Sequence, residues 1–175
     1  MRRRAVLGFL ALAACTDPVG DYLGGFGDPV RGAALYAPAR LGDTSRWDGD
    51  PAGAALAAAQ LEFLAQSFAT DPIWSPQISP SVLQQLQFAR TEMRNALGIR
   101  QDAPPDVVIA TLRQASFALR DGSLARAEAA LSGPAYSLGP RRTLERLSHL
   151  PRLPRVAEAA GGVAAEMDRL DRRRR

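Results

Sequence analysis

Hydrolytic and metal-dependent reactions draw on histidine, thiolate and clustered carboxylates, and the 175-residue sequence has a single histidine, His149, and a single cysteine, Cys15. His149 follows Ser148. Neighbours on a helix point about 100° apart, so the hydroxyl and the imidazole cannot align for proton transfer, and His149 reads as a partly exposed structural residue. Glu145 and Glu158 are separated by prolines and lack the spacing of a general acid and base. No GxSxG, HExxH, Walker-type or CxxC pattern occurs. Gly24-Gly25-Phe26-Gly27 has the composition of a phosphate loop. No strand precedes it and no glycine fingerprint follows, so it reads as a turn. The sequence therefore predicts no catalytic residue, no metal ligands and no cofactor, although carboxylates brought together only by the fold would escape such a reading.

The residue with a defined chemistry is Cys15. Arg2, Arg3 and Arg4 form a positive start, Ala5 to Ala14 an apolar run of ten, and Leu12, Ala13 and Ala14 lead into the cysteine. Ten residues fall well short of the ~20 that a helix needs to cross a bilayer. The pattern resembles the lipobox of bacterial lipoproteins over residues 1–15. That resemblance implies recognition of Leu12, Ala13 and Ala14 by the processing machinery, cleavage before Cys15, and a diacylglycerol thioether on its sulfur, usually with an amide-linked acyl chain. A lone cysteine cannot form a disulfide within one molecule, and acylation gives it a role. Two or more acyl chains, at ~0.8 kcal/mol per buried CH₂, would hold the protein to a membrane without spanning it. Thr16, rather than Asp, after the cysteine resembles enterobacterial lipoproteins sent to the outer membrane. The resemblance thus implies a periplasm-facing envelope protein, with the outer membrane preferred over the inner. Arg3-Arg4 matches twin-arginine export poorly, because Ala5-Val6-Leu7 follows.

Charge narrows the partners. The formal charge is +4, but three positive charges lie in Arg2 to Arg4 and four in Arg172 to Arg175, so the interval Cys15 to Asp171 carries −3. A net-acidic body argues against nucleic acid, which needs a basic face. All 22 basic residues are arginine, a bias that points to a GC-rich genome. The Arg172 to Arg175 tail suits the negative end of a helix and can pair with Asp168 and Asp171 at four-residue spacing; contact with anionic headgroups is the other reading.

Around these residues the periodicity is helical. Residues 15–49 read as a lipidated, Gly/Pro-rich tether, with seven glycines and three prolines in Thr16 to Gly49. Its large apolar side chains predict that part of it drapes over the rest, with one short helix capped by Asp28, opened by Pro29 and stopped by Pro38. Further helices are predicted over 51–69, 80–97, 105–120, 124–131 and 155–171, with a short basic one after Gly139-Pro140. In the first of these Glu62 and Gln66 are expected on the face opposite the apolar one. The connector 71–80 offers Ile73, Trp74 and Ile78 either as a partner-binding surface or as a cap on the core, and the latter reading is preferred.

Phe117 to Leu131 resembles the middle of a tetratricopeptide repeat through Ala115, Gly122 and Ala127. The chain has no second copy, and Gly133-Pro134 cuts the second helix short, so a generic helical hairpin is expected. The predicted architecture is all-α: a signal peptide over 1–14, the tether, one bundle of five to six helices over 50–171, and the arginine tail 172–175. The function expected is a membrane-anchored interaction or scaffolding module with an unidentified envelope protein as partner, rather than an enzyme. The alternative is a periplasmic helical ligand-binding protein or hydrolase with a pocket between helices lined by Trp47, Trp74 and Tyr136.

Overall fold

The computed structural model describes residues 27–173. The leader, Leu12, Ala13, Ala14, Cys15, the tether up to residue 26 and the last two arginines lie outside the described residues. The described chain is all-α, with seven α-helices: α1 (Pro29–Leu41), α2 (Pro51–Thr70), α3 (Pro80–Leu97), α4 (Pro105–Arg120), α5 (Leu124–Ala130), α6 (Pro140–Ser148) and α7 (Pro154–Arg173). Short 3-10 turns occupy Thr44–Trp47 and Ser75–Gln77. An isolated antiparallel bridge between Ile99 and Tyr136 is the only β pairing among the described residues.

Every α-helix begins with proline at its first position except α5, because proline's fixed φ suits that position and its missing N–H costs nothing there. Carboxylates supply several caps. Asp28 accepts from the Val30 and Arg31 amides, and Asp50 from Gly53. The start of α7 is capped from another helix, by Glu92 of α3, whose Oε2 accepts from the Arg155 and Val156 amides at 2.9 and 3.1 Å. Gly98 ends α3 in the left-handed region at φ 71°, and the amide of Ile99 closes back on the Arg94 carbonyl at 2.8 Å.

The bundle is built around α2. Fourteen of its 20 residues are buried, including the unbroken run Ala52 to Glu62, so this helix is enclosed on every side instead of lying half in solvent. α4, α3, α1 and α6 form its walls, while α7 packs on α1 and α3. The alanines let the walls come close enough for side chains to reach neighbouring backbones. Gln60 Nε2 donates to the Ala33 carbonyl and Ser116 Oγ to that of Ala52, each at 2.7 Å. The expectation that Glu62 faces outward is corrected: it is 1% exposed and paired with Arg94. An enclosed helix has no outward face, so its polar residues must find partners inside.

The tether contributes more structure than its composition suggests. α1 continues through Pro38 to Leu41 and places Val30, Ala33, Ala34, Ala37 and Leu41 in the core, which raises the helix count above the expected six. Pro38 is exposed, so its ring and the amide bond it forgoes fall on the solvent side of α1. At the far end of the chain, α7 passes close to α3 at Gly162, where a Cβ would collide with the Gln85 side chain.

Candidate functional site

The three places proposed for chemistry or recognition in the sequence occupy separate surroundings. Trp74 is 2% exposed, stacks on Phe68 with ring centroids 6.0 Å apart, and donates its indole N–H to Asp28 Oδ2 at 2.6 Å. Ile78 is buried beside it. The partner-surface reading of the connector therefore fails for Trp74 and Ile78, which close the core, and leaves only Ile73, which is 66% exposed. Trp47 bonds to the Arg40 carbonyl at 2.9 Å and Tyr136 to Thr111 at 2.6 Å. None of Trp47, Trp74 and Tyr136 lines the three clefts described below. Ser148 Oγ donates to the Leu144 carbonyl within its own helix at 3.0 Å, whereas His149 Nδ1 lies 3.2 Å from Asp48 Oδ1 on an exposed surface. Among the described residues no three His, Cys, Asp or Glu side chains converge as metal ligands would.

A groove of about 820 Å³ lies between α4 and α5. α4 makes it by carrying two stripes. Val108, Leu112 and Ala115 face the core, while Val107, Ala110, Gln114 and Phe117 are exposed at spacings of three, four and three, one line along the outer face. Ala129 and Ala130 of α5 supply the opposite wall, and their small side chains keep the groove open. The two helices join through Asp121-Gly122, where the Ser123 amide returns to the Ala118 carbonyl at 2.8 Å. Phe117 is 41% exposed and anchors the apolar floor. Arg126 and Asp121, paired at 3.1 Å, and Arg113 give the rim its charge. At one end Thr111 joins the groove to the buried Tyr136, whose phenol burial pushes up to about 12, so it stays protonated as a donor or acceptor at neutral pH. The hairpin signal Ala115, Gly122 and Ala127 correctly marks two closely packed helices, since both alanines are fully buried. The outer stripe of α4 was readable in the sequence as a second helical periodicity, but the inner stripe alone drew the assignment.

A second, polar cleft of about 380 Å³ follows α6, where Arg142, Glu145, Arg146 and His149 lie on one face. Two guanidinium groups beside a carboxylate, with Asp48 against His149, make a mixed-charge surface. A third, of about 240 Å³, lies between α1 and α7 near Leu35 and Met167. No helix among the described residues is long and apolar enough to cross a membrane. No protein family, curated protein or solved structure matches this chain.

Proposed function

We propose that the chain is a lipid-anchored protein of the bacterial cell envelope that presents the α4/α5 groove to a protein partner. The observation that carries this reading is the sequence of residues 1–15, in which positive charge, a short apolar run, Leu12-Ala13-Ala14 and the only cysteine occur in the order that acylation requires. The groove supports the second half of the reading. Its lining is mostly apolar and includes the aromatic Phe117 together with the charged Arg113, Asp121 and Arg126, the anatomy of a recognition surface rather than of a reacting site. Thr16 after Cys15 favours the outer membrane over the inner.

Fractionation of a bacterial host expressing the full chain, with mass spectrometry of the N-terminal peptide, tests the anchor. The expected result is protein in the membrane fraction with an acylated Cys15, and Cys15→Ser leaves the leader uncleaved or releases the protein. A cleaved, soluble protein with an unmodified Cys15 overturns the reading. For the groove, a photo-crosslinker at Gln114 is expected to capture one envelope protein in a manner abolished by Phe117→Asp. A metabolite that raises the melting temperature in the absence of any such partner would replace this reading with that of a ligand-binding protein.

A further inference from the structure

Both ends of the described chain leave from one end of the bundle. Arg31, in the first turn of α1, holds Asp171, in the last turns of α7, through two parallel hydrogen bonds of 2.9 Å. The 71–79 connector joins them there. Trp74 bonds to Asp28, Arg169 donates to the Gln77 carbonyl at 2.6 Å, and the Ser79 amide to Glu166 Oε1 at 2.6 Å. Ile73 projects from this end and, at 66%, is the most exposed large apolar side chain among the described residues. Its loop is held from both sides. Asp71 Oδ1 accepts from the Ile73 and Trp74 amides at 2.8 and 3.1 Å, and the neighbouring indole is stacked into the core. An apolar side chain on a loop already fixed loses little entropy when it is covered.

We infer that this end of the bundle is a membrane-docking face, with Ile73 entering the headgroup boundary of the bilayer. The inference rests on acylation of Cys15. Twelve residues separate Cys15 from Asp28, so the two lie no more than about 45 Å apart along the chain. α2, with 20 residues, is about 30 Å long and runs from one end of the bundle to the other. Phe68 in its last turns stacks on Trp74, while Ala52 in its first turn bonds to Ser116 of α4. The N-terminal chain thus enters the bundle at the Ile73 end, while the α4/α5 groove lies on the side of α4 toward the other end of α2. Because the acyl chains hold this face at an effective concentration in the millimolar range, a weak contact is enough to orient the molecule. Asp171, Glu166 and Asp168 take up Arg31, Arg169 and Arg172, which leaves Ile73 as the large exposed apolar group of the connector. Arg172 and Arg173 end α7 on this side, and the positive charge of Arg172 to Arg175 adds attraction to anionic lipid.

Acylation of the only cysteine makes the test direct, since one introduced cysteine is then the only free thiol. Ile73→Cys and Phe117→Cys are each labelled with a nitroxide in the mature lipidated protein, reconstituted into phosphatidylcholine vesicles with or without phosphatidylglycerol. Accessibility to oxygen relative to an aqueous nickel chelate is read by power saturation. The expected result is a ratio several-fold higher at residue 73 than at 117, and higher again with phosphatidylglycerol. Equal, water-like ratios at the two positions in vesicle-bound protein overturn the docking face. A response at 73 that is blind to phosphatidylglycerol removes the arginine tail from it. Protein in the supernatant with an unmodified Cys15 mass overturns the anchor itself, and is read separately.

Discussion

The buried ion pair between Glu62 and Arg94 sets the largest single-residue effect that the fold predicts. Both side chains are 2% exposed, and the guanidinium Nε and Nη2 meet the two carboxylate oxygens at 2.6 and 2.7 Å. The remaining nitrogen, Nη1, donates to the carbonyls of Arg100, Gln101 and Ala103 at 2.9 to 3.1 Å, fixing the loop between α3 and α4. Glu62→Gln keeps the shape and removes the charge, which leaves a guanidinium buried without its counter-ion. Breaking such a pair from one side costs about 3 to 5 kcal/mol. Arg94→Met costs about as much, through an unpaired carboxylate. In Glu62→Leu/Arg94→Met no charge is left buried, and the residual cost is chiefly that of the loop carbonyls, at about 1 kcal/mol for each that water does not reach. Of these only Ala103 belongs to a buried residue, so the double variant should be about 2 to 4 kcal/mol less destabilised than either single. Urea unfolding followed by helical circular dichroism measures all three. With roughly 2 to 4 °C per kcal/mol for a chain of this size, the single variants should melt on the order of 10 °C lower. Single losses below about 1 kcal/mol, or strictly additive ones, would refute the assignment of this pair as the organiser of the loop.

Further effects follow from particular contacts. Asp28→Ala removes a helix cap and strands the buried Trp74 indole, and should cost roughly 2 to 4 kcal/mol by the same unfolding measurement, whereas Asp43→Ala, whose exposed carboxylate bonds Ser45, should cost clearly less. Gly161→Ala meets nothing within 4 Å on a helical backbone and should stabilise by about 0.5 to 1 kcal/mol. Gly53→Ala drives a methyl group into the Trp47 ring and should destabilise by about 1 to 3 kcal/mol. The Glu166 carboxyl is held below the usual carboxylate range, first by Arg169 and also by the Ser79 amide, while burial opposes them. A depressed folded value means that its stabilisation is complete above the unfolded pKa near 4.3 and fades as pH falls through the folded value. Glu166→Gln should therefore narrow the stability gap between neutral pH and pH 3 in melting curves.

Most helices were legible because each is announced locally. Pro80 and Gly98 bracket α3, Pro105 and Asp121-Gly122 bracket α4, and the seams Val82, Leu86, Ala89, Met93 and Val156, Ala160, Val163, Met167 are buried as their spacing requires. What local signals could not convey is who encloses whom. An alanine-rich helix with one glutamate reads as amphipathic until four other helices are known to surround it, so Glu62 was placed on the wrong side. Pro38 read as a stop, because a proline in mid-helix is costly unless its forgone bond faces solvent, and that depends on how α1 is turned. Trp74 and Ile73 are adjacent in sequence and opposite in fate, a difference set by Asp28 and Phe68 from distant elements. The α4/α5 groove was half visible. Its hairpin was marked by Ala115, Gly122 and Ala127, but whether Val107 and Phe117 would be covered depended on α5 ending at Ala130.

The clasp between Arg31 and Asp171 spans 140 positions, and that separation orders events in time. Closing so long a loop is slow, and α7 leaves the ribosome after every other described helix, so the contact of α1 with α7 forms only once the rest of the bundle has been made. Until then α2 lacks an intact enclosure and displays an alanine- and leucine-rich surface to anything nearby. A version ending at residue 153 should accordingly keep helical content while binding a hydrophobic dye and aggregating; a monomeric, dye-silent product would show that α1 and α3 enclose α2 without α7 behind them.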